Sequence, residues 1–152
     1  MVAIQHRIRW VMRKDLTKIV EISQQHCLKS EDDFKQMFSG RDVIGKVMGI
    51  DDKIIGYIIY KVRPRDFEIL DLAIVEEYKR NGLATEFISH LANRLKSPRG
   101  NILCRVRDTN LPMHMMLKKN EFKAVMLARG LYGKNDGYTF VRQDLDRKTM
   151  DV

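Results

Sequence analysis

Hydrophobic and polar positions alternate, or repeat at helical spacing, along the first half of the chain. Residues 7–12 carry alternate apolar side chains, which is typical of a strand. Asp15 precedes apolar residues at helical spacing, and the acidic run from Ser30 to Asp33 has the pattern that begins a helix. We therefore predict a strand at 7–12, helices after Asp15 and Ser30, a hairpin of Val43–Ile50 and Lys53–Val62 around Asp51 and Asp52, and a central strand at 67–74.

The second half of the chain continues with the same mixture of patterns. Apolar residues within 83–96 share one helical face, and Pro98 is expected to end that helix. Asn110 or Thr109 should cap a further helix that ends near Asn120, a residue that can take a left-handed C-terminal position. Strands are predicted at 101–106, 122–128 and 137–143. Strands and helices mixed in this order indicate an α+β fold.

The composition is that of one small domain. The chain has 152 residues, of which 44% are hydrophobic. Its two cysteines lie in different elements without metal-site spacing, so we expect reduced thiols and no bound metal. No apolar run approaches the roughly 20 residues that span a bilayer. We predict a cytoplasmic protein with no membrane contact and a single domain over 1–152, in which 147–152 form a frayed tail.

The net charge of the chain is positive, since 28 basic and 20 acidic residues give +8. This excess favours an acidic partner such as a nucleic acid, a ribosome surface or an anionic cofactor, and general solubility explains it equally well. The basic residues are spread along the chain, and no aromatic-interleaved RNA-binding motif occurs. Contact with nucleic acid or a ribosome therefore stays open.

In the most informative segment, a buried strand runs into a basic turn and then opens a helix. Residues 69–84 read ILDLAIVEEYKRNGLA. A helix start leaves backbone N–H groups unpaired and carries partial positive charge, which suits an anion such as a diphosphate. Gly82 and Ala84 allow close approach to the backbone, and Lys79 and Arg80 add charge. Such turns also occur for packing alone, so the segment by itself leaves both explanations open.

Several short motifs resemble, in order and spacing, those of the GNAT acetyltransferase superfamily over residues 6–146. The basic turn resembles the family's Arg/Gln-x-x-Gly-x-Gly/Ala, with Lys79 at the first position. Leu72-Ala73-Ile74 matches the end of its central strand, and residues 106–110, VRDTN, resemble Val-Arg-x-Ser/Thr-Asn. Within the family, the resemblance is greatest to the ribosomal-protein-alanine N-acetyltransferase type.

The resemblance implies a single GNAT-type α+β domain, with a mixed central sheet of about six to seven strands flanked by about four helices. It also implies acetyl-CoA as co-substrate. The backbone at the end of the central strand would bond the pantetheine amides and polarise the acetyl carbonyl, and the turn would hold the diphosphate. The cofactor-binding residues that it implies are Leu72, Ala73, Ile74, Lys79, Arg80, Asn81, Gly82, Leu83, Ala84, Thr85 and Asn110.

The acid and base positions of that subgroup carry other residues here. The subgroup has Glu-Val-Arg where this chain has Arg105-Val106-Arg107, and a guanidinium cannot accept a proton. The subgroup's general-acid tyrosine is replaced by Leu117, and a glycine before the next phenylalanine by Glu121. Proton transfer must therefore use other groups.

Two carboxylates of the central strand are candidate bases. Glu68 lies where other members of the superfamily place their base, and we expect it to act through water. Its structural alternative is a strand-start carboxylate paired with Lys61 or Arg65. Asp71 is the second candidate, because a carboxylate inside an apolar strand needs a partner or a purpose.

Tyr132 is the candidate on the acceptor side. The segment Arg129-Gly130-Leu131-Tyr132 resembles the Arg-Asn-Tyr-Tyr of N-terminal acetyltransferases, and we expect Tyr132 and Tyr138 in a late loop. Tyr132 would orient the acceptor or supply a proton. An aromatic residue that anchors a hairpin is the alternative.

These residues together predict an acetyl-CoA-dependent N-acetyltransferase whose acceptor is an amine. The favoured acceptor is a protein N-terminal amine. Such an amine has a pKa of about 7.7–8.0, so its deprotonation needs little help. Two alternatives remain. One is a GNAT enzyme that acts on a small amine or a lysine, and the other is a catalytically weak acyl-CoA-binding domain with a regulatory role.

Overall fold

The structure is a computed structural model that describes residues 6–25 and 29–144, so Cys27 and the predicted tail at 147–152 lie outside the described residues. Short 3-10 turns occur at Arg13–Asp15 and Glu76–Tyr78. The described residues form seven strands and four α-helices, in chain order β1 (Arg7–Trp10), α1 (Leu16–Ser23), α2 (Glu31–Phe38), β2 (Val43–Ile50), β3 (Lys53–Val62), β4 (Asp66–Ile74), α3 (Leu83–Ala92), β5 (Asn101–Arg107), α4 (Leu111–Lys119), β6 (Lys123–Tyr132) and β7 (Asn135–Gln143).

The strands form one mixed sheet in the order β1-β2-β3-β4-β5-β7-β6. β1 and β2 pair antiparallel, as do β2 and β3, and β7 pairs antiparallel with both β5 and β6. β4 and β5 are parallel, from Asp66 opposite Asn101 to Ile69 opposite Cys104. The predicted α+β fold with a mixed sheet of six to seven strands and four helices is confirmed.

The chain divides into two compact units, each with its own buried apolar side chains. The first unit comprises the chain up to Lys61 together with Asp71–Phe87, and the second comprises Val62–Leu70 and the chain from Ile88 onward. The predicted extent of one domain over 1–152 stays a prediction. The largest fully buried side chains of the first unit are Tyr57, Tyr60, Phe34, Phe87, Ile19, Ile22, Met48, Ile55, Ile58 and Ile59, and those of the second are Phe140 and Ile88.

Most predicted elements lie where the pattern placed them. The β2–β3 hairpin has the predicted bounds, and Ser30 caps α2 with a side-chain bond from the Asp33 N–H. The third helix is shorter than predicted, because it ends at Ala92. Beyond that residue the chain makes tighter turns, in which Leu95 N–H donates to the Ala92 carbonyl.

Asp15 holds the start of α1 in a different way from a simple cap. Its carboxylate accepts the Met12 N–H at 2.7 Å and two bonds from the Arg9 guanidinium, at 2.7 and 2.9 Å. Asp15 is buried, and the hydrogen bond from Arg9 lowers the pKa of its carboxyl group. The ion pair therefore ties β1 to the 3-10 turn that precedes α1.

The predicted left-handed position of Asn120 is wrong by one residue. Asn120 has φ −98°, whereas Glu121 has φ +69°. Glu121 N–H bonds to the Lys118 carbonyl and Phe122 N–H to the Leu117 carbonyl, which together form a Schellman motif. The resembling family has glycine at the position of Glu121. Glycine adopts a positive φ without steric cost, so the left-handed backbone here accounts for the family's glycine.

The predicted late loop is also wrong, because Tyr132 ends β6 and Tyr138 lies within β7. Pairing continues to Tyr132 opposite Asn135 beyond an irregularity at residues 128–132. Gly137 makes this possible, since a Cβ there would come within 2.8 Å of the Tyr132 ring. The two tyrosines are thus held by a long hairpin.

Candidate functional site

The chain passes from β4 to α3 through the basic turn, Lys79, Arg80, Asn81 and Gly82. Arg80 has φ +68° and Gly82 has φ +74°. Glycine adopts this conformation freely, whereas for arginine it costs about 1 kcal/mol. Strained backbone of this kind tends to be retained at functional sites.

The start of α3 leaves backbone N–H groups without partners inside the helix. Glu86 N–H donates to the Gly82 carbonyl at 3.1 Å, which is the first bond of the helix. The N–H groups of Leu83, Ala84 and Thr85 precede it and have no acceptor within the helix. A Cβ built on Gly82 would meet no atom within 4 Å, so the space beside Gly82 is open.

The polar side chains of the basic turn differ in the ion pairs and hydrogen bonds that they form. Lys79 Nζ lies 2.8 Å from Glu76 Oε2, so its charge is largely compensated. The Asn81 amide donates to the Tyr78 and Lys79 carbonyls and braces the turn. Arg80 is exposed and forms no ion pair with any residue that the structure describes. Arg80 is therefore the cation of the turn that can meet an anion.

The strand end before the turn is tightly packed. Ala73 and Ile74 are buried, and Val75 N–H donates to the Ile55 carbonyl at 2.8 Å. A Cβ on Gly56 would come within 2.6 Å of Ile74 Cδ1 and 3.0 Å of the Ala73 oxygen. The absence of a side chain at Gly56 therefore lets β3 hold this strand end in place.

Asp71 has the partners that its position in the strand requires. Its Oδ2 accepts the Tyr57 hydroxyl at 2.7 Å and lies 3.0 Å from Lys29 Nζ. Its Oδ1 accepts the Leu72 N–H at 3.0 Å. Tyr57 is fully buried and packs edge-on against Phe34. The carboxylate thus joins the chain before α2 to β4, directly before the strand end.

Glu68 lies between two arginines of the second unit. Its side chain is 12% exposed, with Oε1 3.6 Å from Arg63 and Oε2 3.5 Å from Arg105. The alternative pairing with Lys61 or Arg65 is wrong. Glu68 stands opposite Leu103, so Arg105, two residues further along β5, lies on the same face of the sheet.

Tyr132 meets the next arginine on that face. The Arg107 guanidinium carbon lies 4.9 Å from the centre of the Tyr132 ring, a cation–π contact. Arg105 and Arg107 point the same way because side chains alternate along a strand. Glu68 and Tyr132 therefore each contact one of two neighbouring arginines. We call Arg63, Glu68, Arg105, Arg107 and Tyr132 the arginine cluster.

Tyr138 and Asn110 have structural roles. Tyr138 stands opposite Val106, on the face of β5 that Arg107 does not share, and packs edge-on against His114. Asn110 caps α4, where its Oδ1 accepts the Met113 N–H at 3.3 Å. The amide nitrogen of Asn110 is then the group that could meet a ligand.

Other kinds of site find little support in the described ranges. No set of three His, Cys, Asp or Glu side chains there could hold a metal ion. No helix of these ranges is long and apolar enough to cross a membrane.

The sequence model of the acetyltransferase (GNAT) family matches residues 6–122. The chain belongs to the GNAT acetyltransferase family. An N-alpha-acetyltransferase of Saccharolobus solfataricus is 26% identical over 108 residues, which are 61% of this GNAT chain. The match spans 65% of that relative's length.

Solved structures share the GNAT fold over nearly the whole chain. The ribosomal-protein-S18-alanine N-acetyltransferase of Escherichia coli has a TM-score of 0.79 at 19% identity, covering 93% of this chain and 96% of that one. Arabidopsis thaliana NAA60 in complex with acetyl-CoA has a TM-score of 0.74 at 20% identity, with 91% and 98% covered. These likenesses show the fold.

Sequence reasoning missed three residues that shape this GNAT site. The sequence pattern gives Arg63 no role, places Arg107 only within a family motif, and indicates Gly56 only as part of a strand. Strand register and packing against Ala73 give them their importance. Alternation of Arg105 and Arg107 along one strand was the signal that could have found part of the cluster.

Proposed function

We propose that this GNAT chain is an acetyl-CoA-dependent N-acetyltransferase whose acceptor is the N-terminal amine of a protein. The observation that carries the proposal is the basic turn, where open space at Gly82 lies before three N–H groups at the start of α3. The names of the relatives support the choice of acceptor, since one is an N-alpha-acetyltransferase and another a ribosomal-protein-S18-alanine N-acetyltransferase.

The first unit supplies the residues for acetyl-CoA. The N–H groups of Leu83, Ala84 and Thr85 and the Arg80 guanidinium would bind the diphosphate, because aligned N–H donors and a cation suit phosphate oxygens. Lys79 and Asn81 would support the turn. The backbone of Leu72, Ala73 and Ile74 would bond the pantetheine and polarise the acetyl carbonyl. The family resemblance also implies Asn110 among the cofactor-binding residues.

In the reaction the acceptor nitrogen attacks the acetyl carbonyl carbon. A C–N bond forms, the C–S bond breaks, and the electron pair leaves with the sulfur of CoA. The amine loses one proton and the departing thiolate gains one, so the transfer is balanced. We assign the amine's proton to Glu68 through water, with Asp71 as second candidate, and place Tyr132 beside the acceptor, where its hydroxyl orients the amine or protonates the thiolate.

The cellular compartment and the macromolecular contacts of the enzyme are proposed from its cysteines and its net charge. We propose a cytoplasmic setting, because the chain has only two cysteines, which lie in different elements without metal-site spacing, as is usual for reduced thiols. The charge of +8 supports contact of the enzyme with a ribosome or nucleic acid while it meets nascent N-termini.

The test measures CoA thiol release with acetyl-CoA and a panel of acceptors. Each peptide is paired with an N-terminally blocked copy that retains an internal lysine, and small amines complete the panel. We expect release with free N-termini and none with blocked copies. Turnover of lysine or small amines alone would contradict the proposed acceptor. Acetyl-CoA binding without turnover of any amine would identify the chain as a regulatory acyl-CoA-binding domain.

A further inference from the structure

The arginine cluster carries more positive charge than Glu68 and the neighbouring Asp66 compensate. Arg63 is shared between Glu68 and Asp66, whose Oδ1 lies 3.2 Å from Arg63 Nε. Among the described residues, Arg105 forms an ion pair with Glu68 alone, and its side chain is 49% exposed. Two carboxylates thus serve Arg63 and Arg105, and a third guanidinium, that of Arg107, adds its charge.

Arg107 is the cation of the cluster that faces an aromatic ring instead of a carboxylate. Its guanidinium lies on Tyr132, and no ion pair joins it to any residue of the described ranges. His114 Nε2 donates to the Arg107 carbonyl at 2.8 Å, which fixes the backbone from which this side chain extends. A guanidinium whose charge is met by a ring instead of a carboxylate keeps N–H donors available for a carboxylate.

The spacing of the cluster suits an extended peptide. Arg105 and Arg107 are alternate residues of β5, so their side chains emerge roughly 6.6 Å apart. Alternate side chains of an extended acceptor have the same spacing. A carboxylate near the start of such an acceptor could therefore reach Arg107 while the amine lies toward Glu68 or Tyr132.

We propose that the acceptor carries an acidic side chain within the first few residues after its N-terminal amine, and that Arg107, aided by Arg105, binds this carboxylate. The inference rests on the proposed N-terminal acetyltransferase function and names its substrate class. Bidentate pairing of guanidinium with carboxylate selects aspartate or glutamate over their amides, and the positive cluster repels basic N-termini.

The experiment uses three peptides that share the same first residue and length. They differ at the second and third positions, which are acidic, amide or basic. We expect kcat/KM to be about tenfold higher for the acidic peptide than for the amide peptide, mainly through KM, and lowest for the basic one. The preference should shrink as salt rises, because the contact is partly exposed.

Variants separate a specific contact from general charge. Arg107→Gln should bring the acidic-to-amide ratio of kcat/KM close to one, and Arg107→Lys should leave an intermediate ratio, since the charge remains and the fork is lost. Lys119→Gln, at the exposed end of α4, removes the same charge and should leave the wild-type ratio. Circular dichroism verifies the fold of each variant.

The outcomes distinguish the two levels of the proposal. Wild-type turnover with no acidic preference would overturn this inference and leave the N-acetyltransferase function standing. An equal loss of preference in Lys119→Gln and Arg107→Gln would also overturn it, in favour of unspecific charge attraction. Failure to turn over any peptide would overturn the proposed function itself.

Discussion

The basic turn and the arginine cluster differ in how their chemistry is built. The turn takes its residues from one continuous stretch of chain, and its binding groups are mostly backbone N–H donors. The cluster takes its residues from positions as distant as Arg63 and Tyr132, and its groups are side chains. An anion site made of backbone tolerates many side chains and depends on one glycine, whereas a site made of side chains changes with each substitution.

This difference explains why the chain keeps one region recognisable and alters the other. Lys79 stands at the first position of the turn, where the resembling family has arginine or glutamine, and its charge is compensated by Glu76. Arg105 and Leu117 replace the acid and base positions of the resembling subgroup outright. Arg105 contacts Glu68, so a carboxylate stays next to this position although it now comes from β4.

The largest effect is expected from Gly82→Glu, which should abolish acetyl-CoA binding. A side chain at φ +74° strains the turn, and its carboxylate would occupy the space proposed for the diphosphate. Titration calorimetry measures the loss. Gly133→Glu is the matched control, because Gly133 also has a positive φ, of +69°, and no atom within 4 Å of a built Cβ. If both variants bound acetyl-CoA with the affinity of the wild type, the diphosphate site could not lie at Gly82.

Glu68→Gln tests the arginine cluster and the proposed general base within it. General-base loss typically lowers kcat/KM about 10²–10⁴-fold. The deficit should shrink as pH rises, because the free amine then exists without help. An unchanged pH–rate profile would instead favour Asp71 or positioning alone, and Asp71→Asn, assayed in parallel, distinguishes those two.

Asp15→Asn should destabilise the first unit without a direct effect on either region. Loss of hydrogen bonds to a charged group costs about 1.5–3 kcal/mol. The folded-state pKa of Asp15 is lowered, so its contribution is complete above the unfolded value and is lost as the pH falls through the folded value. Urea unfolding of both proteins should thus differ at pH 7 and converge in acid. A constant difference would show that Asp15 acts through packing.

The smallest effect separates the two cations of the turn. Arg80→Gln should weaken acetyl-CoA binding about tenfold, ~1.4 kcal/mol, through loss of a phosphate contact. Lys79→Gln should weaken it less, because Lys79 is already paired with Glu76. The reverse order in calorimetry would move the phosphate contact to Lys79.

The sequence predicted the fold and the location of the turn well, because both depend on local patterns. The β2–β3 hairpin, the cap at Ser30 and the glycine before α3 follow from neighbours in the chain. The partners of Glu68 and Asp71 could not be predicted, since they come from strand register and from the chain before α2. Tyr132 was misplaced because Gly130, Gly133 and Gly137 extend the hairpin.

The central claim is that acetyl-CoA binds where β4 gives way to α3. Amide NMR of the labelled protein during titration with CoA tests it most directly, because it reports on the backbone donors themselves. The account predicts the largest shifts at Leu72, Ala73 and Ile74 and from Arg80 to Thr85, with Gly82→Glu abolishing them. Saturating CoA that left these amides unshifted, or that shifted another part of the chain instead, would contradict it.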